Sequence, residues 1–402
     1  MTTFCLPHKP ANLDALDSLP RHWVDNADAL ARLVDEIDGS DVVALDTEFI
    51  KRTTYYPILA LIQVNTGKAV YLIDAPRLDL SEFWQALTEV PVMVWYACGE
   101  DLGIFYLLTD CPPLTNIFDV QIGVAYLSGQ LQMGYSQAVH DVLGICLDKG
   151  ESQSDWLARP LSDNQKRYAD YDVRYLLALY DVIKNALTQK NILPFVAEDS
   201  NLYAKELHAA QHISDDKLHL EFIAPNYTQR QITVLNALIL WREQIARAKN
   251  EPRTFIISKQ ALREIVLEMP TTIKELACTT INRHALRIYG QEIIKLIRHA
   301  KSLPKHELVA LPPPTYTSKR KPFKNALEKT VYEHSQALGI PPNLLLKGRW
   351  INELLYLVYQ DTPPTTLSDG LMGYRHDWIV ETVLPLLMNF KADIIQGFDA
   401  PA

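Results

Sequence analysis

Two carboxylates at the end of an apolar run are the first candidates for a ligand-binding or reactive site in this chain. Residues 42–45 are Val-Val-Ala-Leu, and Asp46-Thr47-Glu48-Phe49 follow directly. An apolar run of this length, β-branched at its start, predicts a strand that is buried on both faces. Because residues two apart point to the same side of a strand, Asp46 and Glu48 would share one face. Two poorly hydrated carboxylates repel each other, and a divalent cation with oxygen ligands would relieve this repulsion.

The pair also has a plainer interpretation, in which both acids are solvated or cap the next element, so other carboxylates must decide. Asp101 follows a strand-like run at 91–96 and lies in the first turn of a predicted helix, where a negative charge also suits the helix dipole. Tyr168 and Asp172 are four residues apart on another predicted helix and share a face, although a surface Asp beside a half-buried Tyr gives the same spacing. Three such motifs in one predicted domain favour a cluster of four acids and one tyrosine.

The elements around these motifs predict an α/β domain with a mixed sheet over residues 1–215. Two β-rich runs, at 58–65 and 69–74, meet at Thr66-Gly67, which is a hairpin signal. The strand at 91–96 follows a helical crossover, which makes it parallel to one of the first three strands. Strands followed by helices indicate one sheet flanked by helices. The predicted helices cover residues 30–37, 80–87, 102–108, 119–127, 136–143 and 163–190.

The C-terminal part of the chain shows only helical periodicity, which predicts two small all-α modules at 226–302 and 325–396. A Pro-rich and basic connector at 303–324 separates them. The modules share a short repeat, since Pro270-Thr271-Thr272-Ile273 has a counterpart in Pro364-Thr365-Thr366-Leu367. We interpret the two modules as copies of one helical unit.

Basic residues are concentrated in the first helical module. The whole chain has a formal net charge of -9, whereas residues 226–302 carry 13 Lys and Arg against 6 Asp and Glu. This excess predicts a surface that binds a polyanion, and an exposed basic face without a ligand is the alternative. The candidate phosphate contacts are Arg242, Arg247, Lys249, Arg253 and Arg287.

Cysteine usage and hydropathy exclude several protein classes. The five cysteines are widely spaced and include no Cys-x-x-Cys pair, which argues against a disulfide framework and against a zinc cluster. The N-terminal 20 residues lack a basic and then apolar signal pattern, and no segment stays apolar for 18 residues. We therefore expect a cytoplasmic protein with no membrane partner.

The ordered motifs resemble those of a known enzyme family. Asp46-x-Glu48, Asp101 and Tyr168-x-x-x-Asp172 are similar to the three exonuclease motifs of the DEDD family in its tyrosine-containing branch. The closer resemblance is to the ribonuclease D family, and it extends over most of residues 40–180. It rests on further segments: Thr54-Tyr55-Tyr56-Pro57, Leu61-Ile62-Gln63, Glu100-Asp101-Leu102, Leu147-Asp148-Lys149-x-Glu151-Ser152 and Asp155-Trp156-Leu157. The two helical modules resemble the HRDC domains that follow the nuclease domain in that family.

The resemblance implies a ribonuclease H-like (DnaQ-like) mixed sheet flanked by helices, followed by two all-α HRDC-type domains, the second of them degenerate. It implies a monomeric 3′-5′ exoribonuclease that trims RNA 3′ ends, such as those of tRNA precursors, and releases nucleoside 5′-monophosphates. Two divalent ions, Mg²⁺ or Mn²⁺, would be held by the four acids, and the Tyr168 hydroxyl would orient the attacking water. The candidate substrate contacts are Thr47, Phe49 and Gln63, besides the basic residues named above. Phe49 could stack on the terminal base, and a core phenylalanine at a strand end is the alternative.

Two departures from the family pattern, and the absence of the residue typical of its histidine branch, bear on this interpretation. Tyr96 stands where many ribonuclease D sequences have His, which changes contacts beside Asp101 but removes no carboxylate. The second helical module lacks the Tyr289-Gly290 turn of the first, so its assignment depends on order and on the short repeat. Arg167 stands where the histidine branch of the family would have its His.

Two rival functions remain open from the sequence. DNA 3′-5′ exonucleases share the same acids, and no residue here shows how a 2′-hydroxyl would be recognised. A catalytically inactive RNA-binding scaffold is the second rival, and the presence of all four acids and of Tyr168 argues against it.

Overall fold

The structure is a computed structural model that describes residues 4–9, 13–147, 150–151, 153–361 and 367–399. Two sequence motifs touch positions outside the described residues. These positions are Asp148, Lys149 and Ser152 of the motif that begins at Leu147, and Pro364-Thr365-Thr366 of the second copy of the repeat.

The chain divides into two compact units that are not continuous in sequence. The first unit comprises Met1–Ile50, Leu59–Gln211 and Arg320–Ile395, and the second comprises Lys51–Ile58, His212–Lys319 and Gln396–Ala402. The predicted domain boundaries stay a prediction. None of the described helices combines the length and the apolar character that a bilayer crossing requires.

One mixed sheet organises the first unit. Its strands, among the described residues, are β1 (Arg21–Val24), β2 (Val42–Ile50), β3 (Ile58–Asn65), β4 (Val70–Ile73), β5 (Val92–Trp95) and β6 (Ile117–Asp119). Their order across the sheet is β1-β4-β3-β2-β5-β6. β3 and β4 pair antiparallel, which confirms the predicted hairpin, and β5 pairs parallel with β2, which confirms the predicted crossover. The apolar run that ends in two acids therefore lies in the interior of the sheet.

Two short strands were not predicted from the sequence. β1 pairs parallel with β4 and β6 pairs parallel with β5, so they form the two edges of the sheet. β1 and β6 each contain only two adjacent apolar residues, Trp23-Val24 and Ile117-Phe118, which is too short a pattern to be distinguished from a loop. Their partners β4 and β5 lie within the predicted runs at 69–74 and 91–96.

Helices cover both faces of this sheet. They are α1 (Leu13–Asp17), α2 (Ala27–Asp38), α3 (Ser81–Glu89), α4 (Gly99–Leu108), α5 (Val120–Ser128), α6 (Tyr135–Leu143), α7 (Asp163–Arg174), α8 (Leu176–Gln189) and α9 (Leu193–Gln211). Val43 and Leu45 of β2 pack into the core under α2, α3 and α4, whereas Leu61 of β3 packs on the opposite side against Ala169 and Val173 of α7. Because side chains alternate along a strand, Asp46 and Glu48 lie on the α7 face.

The predicted helix at 163–190 is two helices in the structure. α7 ends at Arg174 and α8 begins at Leu176, with Tyr175 between them. The Asn65 side chain donates from Nδ2 to the carbonyls of Val173 and Arg174, at 3.0 and 3.1 Å. These carbonyls would otherwise accept bonds from the next helical turn, so a residue of β3 stabilises the break.

Further helices extend the first unit between residues 320 and 395. They are α15 (Lys324–Leu338), α16 (Pro342–Leu345), α17 (Gly348–Gln360), α18 (His376–Trp378) and α19 (Leu384–Met388), together with α20 (Lys391–Asp399), which spans the boundary to the second unit. Short 3₁₀ turns lie at Asp369–Leu371 and Gly373–Arg375, and a π-helical turn lies at Ile379–Val383. Arg375 forms a buried ion pair with Asp199 of α9, at 2.7 Å.

The second unit is a helical module with its own core. After a 3₁₀ segment at Asp215–Phe222 it contains α10 (Gln229–Lys249), α11 (Arg253–Ile256), α12 (Lys259–Glu268), α13 (Ile273–Leu276) and α14 (Arg283–Ser302), with a short 3₁₀ turn at Lys305–Glu307. Its core includes Leu238, Ile265 and Ile293, one from each of the three longest helices. The helical character predicted for this region is confirmed.

Candidate active site

A cavity of about 370 Å³ in the first unit contains the predicted acids. The end of β2, the start of α4, the first residue of α6 and one face of α7 form its walls. The residues that line it are Leu45, Asp46, Thr47, Glu48, Phe49, Tyr96, Ala97, Glu100, Asp101, Tyr135, Tyr168, Asp172 and Leu176. All five residues predicted to be catalytic thus face one cavity.

Asp46, Glu48 and Asp172 form the closest group of acids. Each offers one carboxylate oxygen, and these oxygens all lie within 4.8 Å of one another. β2 supplies Asp46 and Glu48 because they are two residues apart on the face that α7 covers. α7 supplies Asp172, and its start is fixed by a capping box in which Ser162 and Gln165 satisfy each other's backbone N–H groups.

Asp101 is the fourth acid, and it lies in the first turn of α4. Its side chain is 9% exposed, and its Oδ1 accepts a hydrogen bond from the Thr47 hydroxyl. Thr47 was predicted to contact the substrate. In the structure its hydroxyl is engaged with Asp101, so Thr47 connects the two motifs that supply acids.

The pKa values of the four acids are raised, because they are buried and lie close together without basic residues among the described lining of the cavity. Burial, followed by repulsion from Asp172 and Asp101, raises the pKa of Glu48 to about 9. Burial and repulsion from Asp101 raise the pKa of Asp172 to about 8, and burial also raises the pKa of Asp101 to about 6. The pKa of Asp46 lies well above its usual value, because the group is desolvated and faces the other three acids. The folded chain therefore holds carboxylates that are costly to ionise together.

Tyr168 lies one helical turn before Asp172 and lines the same cavity. Its ring centroid is 6.0 Å from that of Trp156, a buried residue that packs beside α7. Burial and the nearby charges of Asp172 and Glu48 raise the pKa of the Tyr168 hydroxyl. The phenol therefore stays protonated at neutral pH and can donate or accept a hydrogen bond in the cavity.

Two further tyrosines line the cavity. The Tyr135 hydroxyl donates to the Tyr171 carbonyl at 3.0 Å, and the Tyr96 hydroxyl donates to the Met133 carbonyl at 2.7 Å. Their rings meet edge to face with centroids 5.3 Å apart. The departure at Tyr96 was noted in the sequence, but Tyr135 was missed because no spacing relates it to the acids.

Asp119, at the end of β6, was also missed. Its carboxylate accepts hydrogen bonds from the backbone N–H groups of Ala97 and Cys98, at 2.9 and 3.1 Å. Those two residues form the turn that leads into α4 and Asp101. The three-residue strand that ends at Asp119 gave no recognisable sequence signal.

The donor set fits hard divalent cations. Carboxylate oxygens are the ligands that Mg²⁺ and Mn²⁺ prefer, and the described residues that line the cavity contribute five carboxylates, those of the four predicted acids and of Glu100, and no basic group. The raised pKa values show that the ionised carboxylates are desolvated and repel one another. A bound cation would offset their negative charge. Asp46, Glu48, Asp101 and Asp172 are therefore the residues that could hold metal.

The predicted substrate contacts differ in where the structure places them. Phe49 lines the cavity and is partly exposed, and it also packs against the core under α2, α3 and α4. Gln63 is 0% exposed in β3 and is not among the described residues that line the cavity. Neither of its amide atoms has a hydrogen-bond partner within the described part of the chain.

The basic candidates of the second unit are mostly engaged with the protein. Arg242 is 2% exposed, and its guanidinium stacks on the Phe222 ring at 5.1 Å, so the expectation of a surface phosphate contact there is corrected. The reason is that its position falls on the buried face of α10. Lys249 donates to the Tyr289 hydroxyl at 2.7 Å, whereas Arg287 is exposed.

Arg247 and Arg253 belong to one polar cluster of the second unit. Both form ion pairs with the buried carboxylate of Glu243, at 3.1 and 2.5 Å, and Arg247 also pairs with Asp215 at 3.0 Å. The Tyr55 hydroxyl donates to Glu243 and accepts from both arginines. The ion pairs of these two arginines therefore stabilise the second unit, and their charges are already paired within it.

Comparisons with known families agree with this geometry. A family described as 3′-5′ exonuclease matches residues 21–188, and a family described as HRDC domain matches residues 231–297. The first match contains all four acids and Tyr168. The second covers most of α10 to α14 and confirms a helical HRDC domain after the α/β domain. The HRDC assignment of residues 325–396 stays a prediction.

Similar proteins cover nearly the whole chain. Ribonuclease D of Pseudomonas paraeruginosa strain PA7 is 32% identical over 372 residues, which are 91% of this chain and 97% of that protein. Ribonuclease D of Escherichia coli K12 is 29% identical over 371 residues, 90% of this chain and 97% of that protein. The crystal structure of Escherichia coli RNase D, described as an exoribonuclease involved in structured RNA processing, has a TM-score of 0.83 at 28% identity. It covers 92% of this chain and 100% of that chain, and it confirms the predicted fold.

Proposed function

Since this chain belongs to the ribonuclease D family and is an exoribonuclease, we propose that it trims tRNA precursors from the 3′ end by a two-metal reaction that releases nucleoside 5′-monophosphates. One observation carries this proposal. Three acids offer oxygens within 4.8 Å of one another, and Asp101 and Tyr168 line the same cavity. The arrangement supplies the ligands for divalent ions and a phenol at the point where a phosphodiester would lie.

The four acids that would hold metal come from one strand and two helices. Asp46 and Glu48 come from β2, Asp101 from the first turn of α4, and Asp172 from α7. Two divalent ions held by these acids would stabilise the charge on the attacking and leaving oxygens of the phosphodiester. With its acids ionised and without a cation, the cavity would repel an RNA backbone, and a cation held by Asp46, Glu48, Asp101 and Asp172 would offset that repulsion.

Tyr168 is suited to orient the attacking water. Its hydroxyl keeps its proton at neutral pH, since the ordinary pKa of a tyrosine is about 10 and burial and the acids around it raise this pKa further. A neutral phenol can accept one hydrogen bond and donate another, and it cannot act as a base under these conditions. Tyr168 would therefore orient the attacking water by hydrogen bonding. The acids and the ions they hold would stabilise the charge that develops on the phosphodiester oxygens.

Phe49 contributes an aromatic side chain to the lining of the cavity that holds the acids. It follows Glu48 on β2 and is partly exposed. Aromatic rings stack on bases of single-stranded nucleic acids with little dependence on sequence. We assign the 3′-terminal base to this ring, which would account for trimming without a fixed recognition sequence.

The test uses 5′-labelled RNA and DNA oligomers of the same sequence, with Mg²⁺, with Mn²⁺ and with chelator. We expect metal-dependent shortening of RNA from its 3′ end, release of nucleoside 5′-monophosphates on chromatography, and no shortening by Asp172→Ala. Asp163→Ala, an exposed acid on the same helix, is the matched control and should cut like the wild type. Faster cleavage of DNA, or release of oligonucleotides, would overturn the proposal.

The substrate class needs its own measurement. A tRNA transcript with extra 3′ nucleotides should be shortened toward its folded end, because a 3′ tail can enter the cavity whereas paired bases cannot. If the enzyme cuts unstructured RNA but leaves this transcript intact, the exonuclease activity stands and the tRNA assignment is wrong. The expected monomeric state stays a prediction.

A further inference from the structure

Asp119 is a buried acid outside the metal-binding group. It is 1% exposed at the end of β6, and it precedes α5. Oδ1 accepts from the backbone N–H of Ala97 at 2.9 Å and of Gln121 at 2.8 Å, and Oδ2 accepts from the N–H of Cys98 at 3.1 Å. Only the Gln121 bond is a helix cap, because Gln121 lies in the first turn of α5. The other two bonds reach across the sheet to the end of the neighbouring strand, β5.

The turn that receives these two bonds has a conformation that needs support. Ala97 has a φ of 59°, in the left-handed region that alanine rarely adopts. The Gly99 N–H bonds back to the Ala97 carbonyl at 2.8 Å, which closes the turn tightly. Gly99 itself has no room for a side chain, because a Cβ there would overlap the Tyr203 hydroxyl. The surroundings therefore impose this backbone, and Asp119 supplies two of the bonds that hold it.

The same turn carries one of the four acids. Asp101 follows Cys98 by three residues and lies in the first turn of α4. On its other side Asp101 is held by the Thr47 hydroxyl, which comes from the strand that supplies Asp46 and Glu48. The position of Asp101 opposite those acids is thus fixed by hydrogen bonds from Thr47 and by the geometry of the turn.

We propose that Asp119 is a positioning residue for the exonuclease reaction, which sets the place of Asp101 in the metal-binding group by holding the Ala97–Cys98 turn. The inference rests on the proposed function only for its catalytic consequence. Its structural part concerns metal binding, which can be measured without RNA.

Two substitutions separate this role from simple helix capping. Asp119→Ser keeps a favoured N-cap residue for α5 but has one short hydroxyl in place of two carboxylate oxygens, so the bonds to the turn are lost. Asp119→Asn keeps the shape but turns one acceptor into a donor that opposes a backbone N–H. Asp74→Asn is the matched control. Asp74 is another buried acid at the end of a strand, and it accepts from Arg159 instead of from the turn.

The experiment measures Mn²⁺ binding by calorimetry in the full-length chain, together with kcat and KM on single-stranded RNA and with circular dichroism to verify folding. For both Asp119 variants we expect at least about tenfold weaker Mn²⁺ binding and at least about tenfold lower kcat, with little change in KM. Asp74→Asn should lose thermal stability but bind Mn²⁺ like the wild type.

If Asp119→Ser folds and binds Mn²⁺ as tightly as the wild type, Asp119 is only a helix cap and the inference is wrong. Because Ser retains the cap, this variant gives an answer even where Asp119→Asn does not fold. Absence of RNA cleavage by a wild-type protein that binds Mn²⁺ would instead contradict the proposed function, and the binding comparison would still decide the role of Asp119.

Discussion

Glu48 and Asp172 make the stability of the metal-free protein depend on pH in an unusual direction. The folded state raises the pKa of Glu48 from 4.5 to about 9 and that of Asp172 from 3.8 to about 8. A group whose pKa is raised by folding contributes stability below its unfolded pKa and loses that contribution as the pH rises through its folded pKa. These acids should therefore destabilise the metal-free protein progressively between about pH 4 and pH 9.

Thermal unfolding in the presence of chelator tests this dependence. The wild-type midpoint should fall from pH 6 to pH 9, and Glu48→Gln should flatten the decline because its amide does not ionise. Added Mg²⁺ should raise the wild-type midpoint more at pH 8 than at pH 6, since metal must displace protons from the acids. An identical pH slope in wild type and Glu48→Gln would contradict the assignment of these acids.

Tyr168 allows a separation of metal binding from catalysis. Tyr168→Phe removes the hydroxyl but keeps the ring that packs near Trp156. We expect kcat on RNA to fall by roughly 10²-fold, the order of magnitude for a positioned proton-transfer or orienting group, with Mn²⁺ affinity unchanged. Tyr171→Phe, on the same helix but outside the cavity lining, should be silent. An unchanged rate in Tyr168→Phe would remove its proposed role.

The break between α7 and α8 fixes the end of the helix that carries Asp172, and so the position of Asp172 in the cavity. Asn65 of β3 is 1% exposed and donates to the carbonyls of Val173 and Arg174, directly after Asp172. Asn65→Asp would place a second acceptor against these carbonyls, at a cost of about 1–3 kcal/mol for the buried groups left unpaired. The measurement is denaturant unfolding, with metal binding as a second readout.

Asn65→Asp should lower the free energy of unfolding and weaken Mn²⁺ binding together, because the same carbonyls fix the end of the helix that carries Asp172. Thr66→Val, at the next position, is the control, since the Thr66 hydroxyl is bonded to Glu36 and not to α7. Loss of stability without any change in Mn²⁺ binding would show that the break does not position Asp172.

Elements with a clear hydrophobic pattern of their own could be predicted from the sequence. Features that depend on hydrogen bonds to residues distant in the chain could not. β2 and its acids follow from an apolar run, and Tyr168 and Asp172 follow from helical spacing. By contrast, the helix break at Tyr175 depends on Asn65, which lies 108 residues before Val173. Asp119 could not be recognised either, because its partners at Ala97 and Cys98 are on another strand.

Arg242 is a residue for which the sequence predicted a surface contact and the structure shows burial. Charge counting predicted a surface contact, but the α10 periodicity places this residue on the buried side, where burial lowers the pKa of the guanidinium to about 10. Composition reports how many charges a segment has, and only packing decides which of them reach solvent. The basic excess of the second unit is therefore a weaker argument for RNA binding than the count suggests.

The first unit contains both the α/β domain and the helices between residues 320 and 395, and a buried ion pair joins the two parts. We therefore expect the stability of the α/β domain to depend on these helices. Arg375, which is 0% exposed, donates from Nη1 and Nη2 to both carboxylate oxygens of Asp199 on α9, at 2.7 and 2.8 Å. It also donates to the carbonyls of Leu344 and Leu345, at 2.9 and 3.0 Å. The helices between residues 320 and 395 therefore complete a polar network whose other half belongs to the α/β domain.

Arg375→Met should destabilise the protein severely, because removing one partner of a buried ion pair leaves the other charge uncompensated, at a cost of about 3–5 kcal/mol. Adding Asp199→Leu to this variant should recover part of the loss, since no buried charge then remains. Lys205→Met, which breaks the exposed pair with Asp369, should cost no more than about 1 kcal/mol. The measurement is urea unfolding of the full-length chain. A loss for Arg375→Met as small as that for Lys205→Met would mean that the Arg375–Asp199 pair does not stabilise the packing of the last helices on the α/β domain.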